Sequence, residues 1–431
     1  MTVPRREMRP TSVLACFAGA AACWGGATVL GAQQAPQQAP VPLSREEAVQ
    51  SALARGTRLG VARADTAVAY AQLLTARALQ NPTLSASYSK AVPQYHVAVE
   101  LPLDYPWLRQ TRIRSAEAGR QAAQYRFAFE RAAAALDADT TYTRALAALA
   151  RAALSRRTAQ DADSLRRMAV ARRDAGDASD LDVELATVNA GQQANAAAAD
   201  SLTLVAALLD LQTVIGLQAD RVAVVPTDSL VMPPSDTGAG IVAVALRDAP
   251  LSVAAAAASY ESARLAARLQ RRSVFAAPSI SAGFETRDPT GSEKGILPTV
   301  GLALPFPLLD RNRGPVAQAV AERERARAEL DLARLEGRAR IARALRERAI
   351  ALAKAERDRR LVASANRVAA MSLAAYREGA SSLPNVLEAQ RNAREILAQY
   401  VDDLASAWIA TAALRVVTLT PSSPTAASDP P

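Results

Sequence analysis

Two cysteines, one histidine and three lysines are all that the 431 residues offer for thiol, imidazole or amine chemistry. Cys16 and Cys23 both lie in an apolar N-terminal run, so the chain beyond it has no disulfide, thiolate metal site or cysteine nucleophile. His96 stands alone, without a second histidine for a metal cluster and without an evident serine partner. No glycine-rich loop is placed to cradle a phosphate. Acidic residues are plentiful but interspersed with arginine, as in Glu322-Arg323-Glu324-Arg325 and Glu356-Arg357-Asp358-Arg359-Arg360, where ion pairing along a helix accounts for them. The chain therefore reads as a non-enzyme with no cofactor and no metal site.

What recurs instead is a set of turn-forming residues. Gly176 and Gly379, Ser179 and Ser382, and Val183 and Val386 are pairs 203 residues apart, and Leu101-Pro102 stands at the same offset from Leu304-Pro305. Each glycine interrupts a proline-free tract with a single internal glycine, Trp107 to Ala175 (Gly119) and Val316 to Glu378 (Gly337). A helix over 69 such residues reaches about 100 Å at 1.5 Å per residue. No globular core buries a rod of that length, so these helices must pack along one another through a sustained seam. Ala342, Leu345, Ala349 and Leu352 suggest such a seam in the second tract, with Arg343, Arg346, Glu347 and Arg348 facing water. Each rod should end at its glycine, and Ser179 or Ser382 should cap the return helix, to about Ile215 and Leu414.

Before each rod the period changes from helix to strand. Leu84, Ala86 and Tyr88 alternate with serines, and Tyr95, Val97, Val99 and Leu101 alternate with His96 and Glu100. Ile280, Ala282 and Phe284, then Val300, Leu302 and Leu304, repeat the pattern. Four strands, and no others, form two hairpins through turns at Ala91–Gln94 and Thr286–Gly295. Four strands cannot close a barrel, and open edges are not tolerated in lipid, so a membrane role requires several copies of the chain. Short helices precede each hairpin. Ser44 and Glu47 form a capping box for the first, a second runs from about Leu59 to Leu79, and Ile241–Leu246 and Leu251–Leu269 follow in the second half.

The organisation is thus a signal peptide (1–32), a Pro/Gln-rich leader (33–42), a first repeat (43–219), a linker (220–239), a second repeat (240–419) and a disordered tail (420–431). Arg5, Arg6 and Arg9 ahead of an apolar run mark the signal, and Ala20-Ala21-Ala22-Cys23 makes Cys23 a lipidation candidate. No other stretch reaches the roughly 18 apolar residues of a membrane-spanning helix. The net charge is +9, but its mixed-sign distribution and the export signal speak against nucleic acid.

Together the duplication, the strand ends LPLDYPWLRQTRIRSAEAG and LPFPLLDRNRGPVAQAVAE, and the segments AGDASDLDVELA and EGASSLPNVLEAQ resemble the TolC-type outer membrane factor family, in its heavy-metal and multidrug efflux branch. The resemblance implies an α+β, mostly α fold: a homotrimer with a twelve-stranded β-barrel in the outer membrane, four strands per chain, continued by a helical tunnel through the periplasm of a Gram-negative-type cell. It implies a passive exit duct in outer-membrane lipid, meeting a periplasmic adaptor protein and an inner-membrane efflux pump. The outer duct of a type I protein-secretion system and, in a different class, a soluble periplasmic coiled-coil scaffold are the alternatives. By the same resemblance Glu388 and Asn385 stand at the pore gate, with one of two customary acids replaced. Arg172, Arg173, Gly176, Ser179, Asp180, Asp182, Tyr376, Arg377, Gly379, Ser381 and Ser382 are the expected adaptor contacts, Arg173 and Arg377 foremost. Tyr88, Tyr95, Tyr105 and Trp107 flank the strands as a candidate aromatic belt, with core packing the alternative for Trp107. The scarcity of His, Met and Cys argues that passing metals are not selected here by ligation.

Overall fold

The computed structural model describes residues 41–421, apart from 92, 218–223, 235–248, 275–276, 287–294 and 308–309. The signal peptide with Cys23, nearly all of the leader, the Ile241–Leu246 helix, the centre of the Thr286–Gly295 turn and the tail from residue 422 lie outside the described residues.

In order, the elements are β1 (Val41–Leu43), α1 (Arg45–Arg55), α2 (Thr57–Arg77), β2 (Thr83–Tyr88), β3 (Tyr95–Pro102), α3 (Pro106–Asp174), α4 (Asp180–Val214), β4 (Val224–Pro226), α5 (Leu251–Arg272), β5 (Ser279–Thr286), β6 (Leu297–Ala303), α6 (Arg313–Arg377) and α7 (Leu383–Val417). The rods are 69 and 65 residues long. Both start slightly before their proline-free tracts, with Pro106 and Pro315 in the first turn, where a missing N–H costs nothing. At the head of α1 the Ser44–Glu47 capping box forms as the sequence predicts.

The expectation of four strands and no others is corrected. β1 and β4 form a separate parallel pair, Val41 opposite Val224, that ties the start of the first repeat to the linker. Three residues, one of them proline, are too short to show a period. Around this pair lies a packed cluster of Leu43, Ala138, Tyr142, Leu211 and Ile215. The Arg45 guanidinium sits 4.3 Å from the Trp408 ring centre and 5.4 Å from that of Tyr142, and it ion-pairs with Asp139. The Tyr142 hydroxyl is 2.8 Å from Asp228 Oδ2, and Trp408 Nε1 donates to Val231 O at 2.7 Å.

The other sheet has the order β2-β3-β5-β6, antiparallel throughout, so the two hairpins join through β3 and β5. α3 packs against α4 and α7, and α6 against α7, leaving α4 and α6 at opposite edges of the helical array. α5 packs against both rods beside Gly119 and Gly337: a Cβ on Gly337 would come within 3.3 Å of Val253, and one on Gly119 within 3.4 Å of Ser262 Oγ.

Two further expectations need correction. The buried row of α6 holds Gly337, Ile341, Ala344, Arg348, Ala355 and Asp358, while Ala342 and Ala349 are exposed. Spacings of four, three and four give the seam a heptad rhythm, but two of its positions are charged, which shifts the apolar pattern one residue away from the true contact line. In addition, α4 contains an 18-residue window of mean hydropathy 1.3 and is long enough to cross a membrane by that measure. Its alanines and leucines are separated by Asp200 and Asp210, which hid the run. Since α4 lies along the charged rod α3, its exposed apolar side is the bare edge of an array.

Candidate functional site: a two-faced sheet and paired helical tips

Strand alternation separates the sheet residues by chemistry. One face carries Leu84, Tyr88, Val97, Val99, Leu101, Ile280, Phe284, Val300 and Leu302; the other carries Ser85, Ser87, His96, Glu100, Ser281, Glu285 and Thr299. Among the described residues no core covers the apolar face: Val300 is 84% exposed and Leu84 72%. An uncovered apolar face of this extent marks contact with lipid or another chain. On the polar face His96 Nδ1 lies 3.2 Å from Glu285 Oε1, and the Ser279 hydroxyl donates to Glu100. His96 is thus a partner to a carboxylate, and among the described residues no group of three ligating side chains exists to hold a metal.

Aromatic rings mark both ends of the sheet. Tyr88 and Tyr95 lie 5.2 Å apart beside the first turn, and Tyr105 stacks on Trp107 at 4.8 Å where β3 gives way to α3. Trp107 is 55% exposed, so core packing does not account for it.

At the far end of the rods Gly176 and Gly379 occupy left-handed backbone, φ 84° and 76°, which glycine adopts without strain. Ser179 caps α4, its hydroxyl accepting from the Asp182 amide while Asp182 accepts from the Ser179 amide. At the second tip Ser382 has the extended backbone of a cap but makes no side-chain cap bond, and Pro384 in the first turn of α7 removes one of the amides that would need it.

The two tips are joined. Arg172 stacks 4.8 Å from the centre of the Tyr376 ring and donates to the Tyr376 carbonyl. Tyr376 is buried with Leu165, Val183, Leu383 and Val386. Burial pushes its hydroxyl pKa up, with Arg172 opposing and Asp182 adding to the rise. Of the expected tip residues, Arg172, Tyr376, Ser179 and Asp182 are therefore engaged within the chain. Arg173 pairs with Asp174 at 2.6 Å and lies 3.9 Å from Asp180, while Arg377 and Ser382 are exposed and Ser381 half-buried.

Asn385 is exposed beside the tip. Glu388 lines a groove of about 550 Å³ with α3 as its floor and α4 and α7 as its walls, sharing it with Asn189, Gln193, Arg391, Arg394 and Glu395. Arg391 donates to Glu395 at 3.0 Å; this bond first, and the charge of Glu388 after it, hold the Arg391 guanidinium above its ordinary pKa. Burial lowers that of Arg394. The acid is thus one member of a mixed row whose basic members the sequence reading missed, although the Arg391–Glu395 spacing of four residues was a readable signal.

Residues 244–418 match the outer membrane efflux protein family. No curated protein sequence matches the chain. Among solved structures, the outer membrane protein VceC of Vibrio cholerae is similar with a TM-score of 0.73 at 15% identity, covering 87% of this chain and 95% of that one. The CmeC outer membrane channel of Campylobacter jejuni is similar with a TM-score of 0.70 at 15% identity over 88% and 87% of the two chains. A membrane protein from Pseudomonas aeruginosa gives 0.71 at 20% over 87% and 93%. At such identities the likeness carries the fold, and it runs through both repeats although the family match lies in the second. The second repeat thus matches the outer membrane efflux protein family, and the chain as a whole has the fold of the solved outer-membrane channel proteins.

Proposed function

We propose that this outer-membrane efflux channel is the exit duct of a tripartite system, in which three copies of the chain close a twelve-stranded barrel and a helical tunnel. The observation that carries this reading is the four-stranded sheet, with an apolar face, a polar face and, among the described residues, two unpaired edges, β2 and β6. In an antiparallel sheet of four strands, β6 of one copy meets β2 of the next in antiparallel sense, so closure needs no change of pattern. The apolar face then meets lipid, and the polar face with Glu100, Glu285 and His96 lines the lumen.

The helices have the same need for a neighbour. The exposed edges of the array carry Leu202, Val205 and Leu209 on α4 and Leu332, Leu335 and Ile350 on α6. Sealing α4 of one copy against α6 of the next would bury both edges and carry the ring from strands into rods. The tips then face the periplasm, where an adaptor linked to an inner-membrane pump would engage Arg173, Arg377 and the glycine turns. Glu388 and Asn385 would stand near the mouth. No residue is assigned a role in choosing cargo, which the pump would deliver; a polypeptide delivered by a secretion pump would use the same duct.

Fractionation with native electrophoresis tests the assembly. The expected result is an outer-membrane trimer that dissociates on heating and forms a conducting pore in planar bilayers. A monomer without conductance would refute the ring.

A further inference from the structure

The two repeats build the junction between sheet and rod with different chemistry. In the first, the head of α3 closes the end of α2: Arg109 donates to Arg77 O at 3.0 Å and Arg112 to Ala76 O at 3.1 Å, with Arg112 also bonded to Asp104. In the second, Asn312 takes that place, donating to Gln270 O at 2.8 Å and to Ser273 Oγ at 3.2 Å. Asn312 stands at the 203-residue offset from Arg109, so an amide replaces a guanidinium at the joint.

Four arginines gather around that amide. Arg271 and Arg272 lie between Gln270 and Ser273, and Arg311 and Arg313 flank Asn312, so all four surround one hydrogen-bonded contact. All are exposed, and among the described residues none of them makes an ion pair. From Leu265 to Phe284 the chain has three arginines and no acid, and from Ala303 to Ala321 two arginines and one acid, which leaves the patch clearly positive. The one acid, Asp310, accepts from the Asn312 amide at 2.9 Å. Helix dipoles do not account for the gathering. They favour Arg271 and Arg272 at the C-terminus of α5 but oppose Arg311 and Arg313 at the N-terminus of α6, whose first turn holds no acid.

Position supplies a reason. Ser273 is six residues before the start of β5, and Asn312 nine after the end of β6. Between sheet and patch Leu304 is 50% exposed and Phe306 73%, extending the exposed apolar run of Val300 and Leu302. At the repeat offset Asp310 corresponds to Trp107, whose stacked pair with Tyr105 has the amphipathic character of rings at a membrane–water boundary. Both repeats thus turn from apolar to polar at the same register, one through rings and the other through guanidinium groups. An apolar run that ends in unpaired guanidinium groups complements a molecule whose acyl chains end in a phosphodiester. A second copy of the chain offers no such complement. In the proposed ring β6 stands beside β2 of the next copy, and the segment leading into that strand, Arg77–Pro82, has no acid.

We propose that Arg271, Arg272, Arg311 and Arg313 form a headgroup site for anionic phospholipid in the leaflet on the rod side of the membrane. The inference rests on the reading that the apolar face of the sheet meets lipid. Each basic residue near an anionic surface adds an attraction that salt screens, and guanidinium groups match phosphate oxygens in forked geometry. A lipid held there bridges the end of α5 and the head of α6 beside the Asn312 joint.

Lipid retention by the full-length protein reads the site. Protein in a non-ionic detergent is incubated with equal amounts of phosphatidylglycerol and phosphatidylcholine, and the lipid that stays with it through gel filtration is quantified. The parent should retain phosphatidylglycerol over phosphatidylcholine by at least ~10-fold at low salt, and the ratio should fall as salt is raised. Arg311→Gln with Arg313→Gln, and separately Arg271→Gln with Arg272→Gln, should each lower the ratio several-fold. Arg343→Gln with Arg346→Gln, which removes two exposed charges from the middle of α6, should leave it unchanged. Equal retention of the two lipids by the parent overturns the site, as does a ratio that the junction variants keep or that the mid-rod variant lowers equally. Conductance of the same preparation in phosphatidylcholine bilayers separates this from the duct reading. A parent that conducts without preferring phosphatidylglycerol loses the site and keeps the duct, and one that enters no bilayer overturns both.

Discussion

The two tips descend from one pattern and are built differently. Both turn at a left-handed glycine, yet the first is fastened by a reciprocal serine–aspartate cap, while the second has Pro384 and leaves Ser382 without a side-chain bond. At the 203-residue offset Asp182 corresponds to Asn385 and Leu185 to Glu388, so the first tip spends its acid on its own helix and the second presents its polar groups outward. The return helices diverge in the same sense. Both are 35 residues long, but α4 buries four of its residues and α7 eleven, because α7 is clasped between α3 and α6. A repeat therefore fixes length, turn and strand period, and leaves to each copy which face it covers.

The largest effect should come from the positions where the repeats are required to be alike. Val99 and Leu302 are equivalents on the apolar face of β3 and β6. Arginine at either should cost roughly 2–4 kcal/mol per chain near the membrane midplane and abolish outer-membrane assembly while export continues. Normal assembly of Leu302→Arg alone would show that β6 is a free edge and break the equivalence. Next come the turns. Gly176→Val and Gly379→Val should each cost about 1–2 kcal/mol from the left-handed backbone, read as an earlier thermal transition. A Cβ at Gly379 would stand in ordinary contact with Arg172 Nη2 at 3.7 Å, while one at Gly176 meets nothing within 4 Å, so Gly379→Val should be the worse only through its γ-methyls pressing on the Arg172–Tyr376 joint. An equal loss at both sites would mean that the joint between the tips adds nothing.

Smaller differences separate the caps. Ser179→Ala should destabilise by about 1 kcal/mol, whereas Ser382→Ala should change stability by no more than a few tenths; the order of the two melting shifts decides the matter. Smallest should be Glu388→Gln, which is expected to lower cation preference in planar bilayers slightly with assembly unchanged, because Arg391 and Arg394 share its groove and exposed charges act over about 8 Å at physiological salt. A full reversal of selectivity would show that Glu388 acts alone.

Much of this was legible in the chain, and what escaped did so for a physical reason. The rods, their glycine ends, the four long strands and the Ser44 and Ser179 caps follow from period and turn chemistry, which act over a few residues. β1 and β4 escaped because a three-residue strand is defined by its partner rather than by its own pattern. The α6 seam was read one residue off, through Ala342 and Ala349, because Arg348 and Asp358 occupy contact positions that ordinarily hold apolar residues. The Arg172–Tyr376 joint was missed as a pair although both residues were singled out: residues 204 apart on different hairpins meet only once the rods lie side by side.

The pairing of β3 with β5 has a consequence for how a ring forms. That joint links the two halves of one polypeptide, so in any closed ring of this chain every second hairpin-to-hairpin joint exists before molecules meet. In the proposed twelve-stranded ring a single-hairpin ancestor would have six intermolecular joints to make, and this chain has three. The order of assembly in protein concentration falls accordingly, and half of the joints are exempt from dilution. An exported protein released one molecule at a time into a large compartment gains most from that exemption, which gives the duplication a kinetic reason to persist after its two copies had diverged.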